Sequence, residues 1–186
     1  MIRIPCAFMK DEQTGFVTNR PAIDWFAAGE GVATRKWDGI PYLLNVEDGG
    51  LIAYRGVRLT PDDPTPIRFI QTSDAGDPDI TGWMGVGNTD EALVVALDAY
   101  GQTGKPFEPG TYELCGPGIK GNHEGFDYPT LLRHDLVSYL RCPRQLDDVI
   151  AFMLMMDPPG EGIVWRYGDR YCRLTRKDVG LPWPAE

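Results

Sequence analysis

The sequence predicts an α+β fold in which helices pack against antiparallel or mixed sheets. Short segments rich in β-branched and aromatic residues alternate with glycine-containing turns, and two longer segments have helical periodicity. These elements follow one another without regular βαβ alternation, which favours the α+β class. The 22 glycines and 16 prolines among 186 residues predict many loops between short elements. The length suits a single domain, and we expect residues 1–186 to form it.

Composition and charge exclude several classes of protein. With 42% apolar residues the chain can form a core, which excludes disorder, collagen and coiled coil for the whole chain. No apolar stretch approaches the roughly 20 residues of a membrane span. The first residues also lack the pattern of a secretory signal, so we expect a soluble, cytoplasmic protein that binds no membrane. The net charge of −9 disfavours nonspecific polyanion binding but leaves room for a local basic groove. Four scattered cysteines without a CxxC pair indicate free thiols.

Three strands are predicted in succession in the first third of the chain. They cover residues 32–37, 41–46 and 51–55, and the turns between them contain Asp38-Gly39 and the Glu-Asp-Gly-Gly of residues 47–50. Short strands joined by tight turns predict an antiparallel meander. Residues 60–88 are rich in Pro, Asp, Gly and Thr, and we expect mostly loop there, with one possible strand over 67–71.

The rest of the chain contains two amphipathic helices and further strands. A helix is predicted over 89–100, with Asn88 or Thr89 as N-cap and Gly101 as the stop. A second helix is predicted over 144–156 and ends at Pro158-Pro159-Gly160. Its methionines indicate either core packing or a partner surface, and the amphipathic pattern favours the core. The predicted strands cover residues 110–115, 135–140, 162–167 and 170–175.

Lys36 is the first candidate for chemistry. It stands at the end of a predicted strand, just before the Asp38-Gly39 turn, so it is held on a rigid element. Gly39 has no side chain where phosphates of a ligand could approach. Arg35 and Arg55 are cations that we expect near this lysine. A lone Lys-x-Asp-Gly occurs often by chance. The alternative interpretation is that Lys36 is a surface lysine before a β-turn.

Two carboxylates and one basic segment accompany Lys36. Glu113 lies inside an otherwise apolar strand, and Glu161 begins another. A carboxylate in such a place is costly unless it meets a metal, a cation or hydrogen-bond donors. The basic segment covers residues 166–177, and strand alternation predicts that Arg173 and Thr175 share a face.

In this order the motifs resemble those of the covalent nucleotidyltransferase superfamily, which comprises polynucleotide ligases and capping enzymes. The matching segments are Lys36-Trp37-Asp38-Gly39, Arg55-Gly56, Tyr112-Glu113-Leu114, Glu161-Gly162-Ile163-Val164 and Arg173 to Lys177. The chain is most similar to compact ATP-dependent RNA ligases, which share Ala-Thr-x-Lys-x-Asp-Gly, Thr-Gly-Trp and Gly-Thr-Tyr-Glu segments. Here these segments lie at residues 33–39, 81–83 and 110–113, and the similarity extends from about residue 16 to residue 183.

The resemblance implies a ligase-type, ATP-grasp-like nucleotidyltransferase domain without an appended oligonucleotide-binding fold. It implies that Lys36 attacks the α-phosphorus of ATP, and that the resulting lysyl-AMP activates a 5′-phosphate RNA end for joining to a 3′-hydroxyl. The implied cofactors are ATP and Mg²⁺, which Mn²⁺ can replace, with Glu161 and Glu113 as metal ligands. The residues that the resemblance places around the nucleotide are Thr34, Arg35, Asp38, Gly39, Arg55, Glu113, Glu161, Arg173 and Lys177.

Two departures from the family pattern keep alternatives open. The family usually has Lys-x-Lys where this chain has Arg173-Leu174-Thr175, and many relatives have Glu where this chain has Arg35. The alternatives are a nucleotide- or RNA-binding module that does not ligate, and a minimal DNA ligase. His123 and His134 lack metal-ligand spacing with a cysteine, so we expect no metal role for them.

Overall fold

The computed structural model describes residues 4–60, 62–64, 66, 68–73, 80–87, 90–136 and 138–183. In this part of the chain the fold is α+β with antiparallel sheets. The elements in chain order are β1 (Phe8–Lys10), β2 (Val17–Pro21), α1 (Asp24–Ala27), β3 (Val32–Lys36), β4 (Ile40–Glu47), β5 (Gly50–Leu59), β6 (Phe69–Gln71), β7 (Ile80–Val86), α2 (Glu91–Gln102), β8 (Gly110–Cys115), a 3-10 helix (Lys120–Asn122), β9 (Thr130–Arg133), β10 (Tyr139–Leu140), α3 (Leu146–Met155), β11 (Gly162–Tyr167), β12 (Arg170–Thr175) and a second 3-10 helix (Arg176–Val179).

The chain divides into two compact units. The first, here called the terminal unit, comprises the described residues of Ile4–Asp38 and Val137–Glu186. The second, here called the central unit, comprises the described residues of Gly39–Leu136. The division between them falls directly after the Lys-x-Asp of the first motif, between Asp38 and Gly39.

The terminal unit contains a four-stranded antiparallel sheet in the order β10-β3-β11-β12 and the β1-β2 hairpin. One face of the sheet is buried against α1 and α3, because apolar residues alternate along each strand. The buried residues of this core include Ala33, Ile163, Trp165, Cys172 and Leu174 from the sheet, with Trp25, Phe26, Val149 and Met153 from the helices. The opposite face carries the alternate residues of the same strands, among them Thr34, Lys36, Val164 and Arg173.

The central unit contains a six-stranded antiparallel sheet in the order β6-β7-β5-β4-β8-β9. Its core combines one face of the sheet with α2, and the buried residues are Tyr42, Leu44, Ala53, Leu93, Ala96, Tyr112, Leu114 and Ile119. On the other face, Trp83 of β7 pairs with Gly56 of β5, and Pro41 of β4 pairs with Glu113 of β8. A Cβ at Gly56 would lie 2.8 Å from Cγ of Pro41, so these two pairs are neighbours.

The predicted meander of three strands is wrong in one respect. β4 and β5 form the expected hairpin, but β3 pairs with β10 and β11, which lie more than a hundred residues later in the chain. β11 supplies the partner because its apolar residues continue the buried face of β3, with Trp165 opposite Ala33 and Ile163 opposite Arg35. Local turn signals therefore predicted the strand but not its neighbours.

Two segments differ from their predicted secondary structure. β7 lies within residues 60–88, where we expected mostly loop. Its glycines are needed for close packing, because a Cβ at Gly82 would lie 2.5 Å from the carbonyl oxygen of Ile70. Of the strand predicted over 135–140, the described residues form only β10, Tyr139–Leu140. The strand that precedes it in the chain, β9, belongs to the other sheet, where it pairs with β8.

The two predicted helices are confirmed with small shifts at their ends. α2 begins after Asp90, whose side chain accepts a hydrogen bond from the backbone N–H of Leu93, so Asp90 is the N-cap. The N-cap candidates Asn88 and Thr89 lie outside the described residues. The helix also continues through Gly101 to Gln102, and α3 covers Leu146–Met155. No helix in the described part of the chain is long and apolar enough to span a membrane.

Candidate active site

Lys36 is the last residue of β3, on the face of the terminal-unit sheet opposite its core. Its laterally paired neighbour is Gly162 of β11. A Cβ at Gly162 would lie 2.2 Å from the carbonyl oxygen of Leu174, so only glycine fits there. The residue that precedes this glycine, Glu161, is thereby placed at the same end of the sheet as Lys36.

The side chains of Lys36 and Glu161 form an ion pair. Lys36 Nζ donates to Glu161 Oε2 at 2.5 Å, and the two side chains are 25% and 21% exposed. The pair joins residues that are 125 positions apart in the chain. It therefore brings together the two motif residues for which the resemblance implies a role, Lys36 as the nucleophile and Glu161 as a metal ligand.

Arg173 and Thr34 lie on the same face of the sheet as Lys36. Val164 pairs with Thr34 on one side and with Arg173 on the other, so the three side chains form one row. The Thr34 hydroxyl donates to the carbonyl oxygen of Val164 at 3.3 Å. Thr175 follows Arg173 at the strand alternation, as predicted, opposite Gly162.

Asp178 holds Arg173 and is not among the residues predicted from the motifs. Arg173 Nη1 donates to Asp178 Oδ2 at 2.8 Å, and Lys10 Nζ lies 2.6 Å from Oδ1. The hydroxyl and backbone N–H of Thr175 also donate to Oδ2, at 2.6 and 2.9 Å. Burial raises the pKa of Asp178, but the hydrogen bonds from Lys10 and Thr175 and the charge of Arg173 together lower it below its ordinary value. The Thr-x-x-Asp capping box at 175–178 is the signal that would have found this carboxylate.

The remaining predicted residues of the terminal unit have different surroundings. Lys177 is exposed on the second 3-10 helix. Asp38 Oδ2 accepts a hydrogen bond from Trp183 Nε1 at 2.7 Å, which ties the turn after Lys36 to the C-terminal segment. Arg35 points to the other face of β3 from Lys36 and donates to two backbone carbonyls. Its guanidinium also lies 4.7 Å from the centre of the Trp37 ring.

In the central unit, Glu113 is 9% exposed, and each of its carboxylate oxygens lies within hydrogen-bond distance of a protein nitrogen. Oε1 accepts a hydrogen bond from the backbone N–H of Gly39 at 3.1 Å. Oε2 lies 3.0 Å from His134 Nε2 and accepts a hydrogen bond in the tautomer protonated there. A Cβ at Gly39 would lie 2.4 Å from the carbonyl oxygen of Leu114, so this approach requires glycine. His134 has no motif spacing, and only the fold identifies it.

Arg55 and Glu113 are not on the same face of the central sheet. Arg55 pairs with Tyr42, whereas Glu113 pairs with Pro41, the neighbour of Tyr42 in β4. Alternation therefore places Arg55 on the face of the core that contains Tyr42 and Ala53. Of the predicted nucleotide contacts in this unit, Gly39 and Glu113 meet each other, and Arg55 does not join them.

The carboxylates differ in how well they suit a divalent metal ion. The described residues contain no group of three or more His, Cys, Asp or Glu side chains positioned to hold a metal. Mg²⁺ commonly uses one or two carboxylates together with phosphate oxygens of its substrate, and Glu161 fits this use beside Lys36. The two oxygens of Glu113 already bind Gly39 and His134, so Glu113 fits a metal less well.

Comparison of the sequence with models of known protein families and with curated proteins found no match. The ordered motifs and the contacts between their residues are therefore the grounds on which a function can be assigned. The contacts between motif residues are the Lys36–Glu161 pair and the Glu113–Gly39 hydrogen bond, and Asp178 holds the motif residue Arg173.

Proposed function

We propose that this chain is an ATP-dependent RNA ligase that joins 5′-phosphate and 3′-hydroxyl ends through a lysyl-AMP intermediate. The observation that carries the proposal is the 2.5 Å contact between Lys36 Nζ and Glu161 Oε2 at one end of the terminal-unit sheet. A lysine at a rigid strand end, with a carboxylate on its amine, has the two groups that a nucleotidyl transfer to nitrogen requires. The motif resemblance supplies the reaction class.

In the first step Lys36 Nζ forms a bond to the α-phosphorus of ATP while the bond to the pyrophosphate oxygen breaks. Before the attack, Lys36 Nζ gives one proton to the Glu161 carboxylate against which it lies, which frees the electron pair of the nitrogen. As the N–P bond forms, a second N–H proton leaves with the departing pyrophosphate. Mg²⁺ bound at Glu161, directly or through water, would neutralise charge on the phosphate oxygens. The protein's main task is to position an in-line attack, because phosphoryl transfer needs little other covalent chemistry.

Arg173 and Lys177 are the cations proposed to contact the α-phosphate. Arg173 lies in the same row of the sheet as Thr34, and Thr34 precedes Lys36 by two residues in β3. Asp178 holds the guanidinium of Arg173. A cation fixed in advance stabilises developing charge without reorganising during the reaction. Arg173 thus serves where the family usually has a lysine.

Glu113 is proposed to fix the turn at Gly39 and to orient His134, in addition to the ribose contact that the motif implies. Each of its oxygens has a protein nitrogen within hydrogen-bond distance, from Gly39 and from His134. In the later steps AMP passes from Lys36 to the 5′-phosphate of RNA, and the 3′-hydroxyl then displaces AMP and forms the phosphodiester bond.

The first test is the intact mass of the protein after incubation with ATP and Mg²⁺. We expect one added AMP, released as free AMP by acid, since a phosphoramidate is acid-labile. The α,β-methylene analogue of ATP is the control, because its bridging carbon prevents release of pyrophosphate. If ATP leaves the mass unchanged, the chain is a binding module and not a ligase.

The second test compares sealing of RNA and DNA ends of the same sequence. Matched 5′-phosphorylated RNA and DNA, single-stranded and nicked, are incubated at one salt concentration. We expect faster sealing of RNA, because the ribose 2′-hydroxyl is the group that distinguishes the two polymers. Equal rates on DNA nicks would contradict the RNA assignment and favour a minimal DNA ligase, with the chemistry of Lys36 unaffected.

A further inference from the structure

Two arginines bind the four consecutive carbonyl groups that lead into β11. Arg35 donates from its terminal nitrogens at 2.7 and 2.8 Å, and Arg176 donates from Nε and from its backbone N–H at 2.9 Å each. The acceptors in chain order are the carbonyl oxygens of Pro158, Pro159, Gly160 and Glu161. Each residue of this segment therefore has its carbonyl group bound by one of the two arginines.

The two arginines connect the segment to different elements of the terminal unit. Arg35 belongs to β3, where it directly precedes Lys36 and points to the opposite face. Arg176 is 7% exposed and also donates from Nη2 to the carbonyl oxygen of Met153 at 2.6 Å, in the last turn of α3. The residue at the end of the held segment is Glu161, whose side chain meets Lys36.

We propose that Arg35 and Arg176 are positioning residues that hold Glu161 against the amine of Lys36. The proposal deepens the proposed function and rests on it for the catalytic consequence. Because Arg35 and Lys36 are neighbours in one strand, that strand fixes both the amine and, through Arg35, the Pro158 and Pro159 carbonyls of the segment that leads to Glu161. Small displacements of reacting groups are costly, so such holding contributes to the rate.

The variants Arg35→Lys and Arg176→Lys test the proposal with charge retained. A lysine ammonium cannot bind two carbonyls in the planar, forked arrangement of a guanidinium. The matched control is Arg144→Lys in the same unit. Arg144 also binds two backbone carbonyls, those of Phe26 and Gly31 at 3.1 and 2.8 Å, but neither belongs to residues 158–161.

The first readout is the rate at which acetic anhydride acetylates Lys36 at fixed pH without ATP, measured by peptide mass spectrometry. The Glu161 carboxylate lies against the Lys36 amine, so the reagent reaches the amine more readily when that contact is lost. Glu161→Ala removes the contacting side chain and is the reference; it should accelerate labelling roughly two- to fivefold, the size expected for one partly exposed pair. We expect both arginine variants to accelerate labelling in the same way, and Arg144→Lys to label at the wild-type rate.

The second readout is the rate of AMP transfer to Lys36, which the two arginine variants should lower about 10- to 100-fold. Circular dichroism verifies folding, and if the buried Arg176 variant does not fold, Arg35→Lys decides alone. Wild-type labelling in Arg35→Lys, or equal acceleration in Arg144→Lys, would overturn the proposal. Accelerated labelling in a protein that never forms an AMP adduct would retain the positioning role and refute the ligase function.

Discussion

The carboxylate of Glu113 accepts a hydrogen bond from the backbone N–H of Gly39 at 3.1 Å, across 74 positions of the chain. The contact ties the last residue of the Lys-x-Asp-Gly motif to the strand that carries the third motif. Its existence requires a glycine, because a Cβ at residue 39 would lie 2.4 Å from the carbonyl oxygen of Leu114. Motif residues that are remote in sequence therefore depend on one another for their local geometry.

Two substitutions of Glu113 should separate the contribution of its hydrogen bond with Gly39 from the contribution of its charge. Glu113→Gln retains an oxygen for the Gly39 N–H, whereas Glu113→Ala leaves that buried group without an acceptor, at a cost of about 1–3 kcal/mol. We expect urea unfolding to show a smaller loss of free energy of unfolding for Glu113→Gln than for Glu113→Ala. Equal losses would mean that the hydrogen bond to Gly39 contributes nothing measurable.

Lys36→Ala should abolish AMP adduct formation and leave the protein folded, because the side chain is partly exposed and is not a core residue. Lys36→Arg should be equally inactive, since a guanidinium stays protonated and cannot attack phosphorus. Intact mass with ATP and Mg²⁺ measures the first effect and circular dichroism the second. Peptide mapping that finds AMP on Lys10, Lys105, Lys120 or Lys177 would refute the assignment of the nucleophile.

Glu161→Ala should lower the rate of adduct formation roughly 10²–10³-fold, as expected for a group that acts on charge in the transition state. Its effect on stability should be small, because the ion pair with Lys36 is partly exposed. A titration of the rate with Mg²⁺ should show a higher Mg²⁺ requirement for the variant. An unchanged rate with an unchanged Mg²⁺ requirement would remove Glu161 from the site.

Asp178 should make the stability of the protein dependent on pH in the acid range. Its folded-state pKa is lowered, so the carboxylate stabilises the fold above the ordinary aspartate pKa of about 3.9. That stabilisation is lost as the pH falls through the folded-state pKa. Asp178→Asn should therefore cost about 1–3 kcal/mol at pH 7, since hydrogen bonds to a buried charged group are weakened.

Urea unfolding of both proteins between pH 7 and acid pH measures this difference. The gap between wild type and Asp178→Asn should narrow as the pH falls, because protonation removes from the wild type the same charge that the variant lacks. A gap that stays constant down to acid pH would show that Lys10 and Arg173 do not stabilise the charged form.

RNA binding should be weak and sensitive to salt. The basic segment 166–177 offers few available cations, because Arg176 is buried on backbone carbonyls and Arg173 is paired with Asp178. Three phosphate contacts would give a slope of about −2 when log K is plotted against log salt for single-stranded RNA. Fluorescence anisotropy of a labelled oligonucleotide measures it, and a much steeper slope would require a larger basic surface than this segment.

Local sequence signals determined most of the individual elements. β-Branched runs ended by Asp-Gly or Gly-Gly predicted β3 and β4, and helical periodicity predicted α2 and α3 to within two residues at each end. These features depend on neighbours along the chain, so they can be identified from a short window. β7 was not predicted because its glycines lower strand propensity. Only the close packing of Gly82 against β6 shows why this strand requires glycine. The chain divides into two compact units, and the single functional domain expected from the chain length stays a prediction.

The motifs also identify candidate residues for chemistry, but only the tertiary structure decides their contacts. Lys36 meets Glu161 because β3 pairs with β11, and no turn between the strands dictates that pairing. The contact of His134 with Glu113 likewise depends on the fold. The resemblance implies a nucleotide contact for Arg35, whereas the fold turns this side chain to the face of β3 opposite Lys36, where it binds the Pro158 carbonyl. Strand order and register are set by the burial of apolar faces over long chain separations, and that free energy belongs to the whole core. A side chain's type can thus be read from the sequence, while its partner depends on which distant strand completes the sheet.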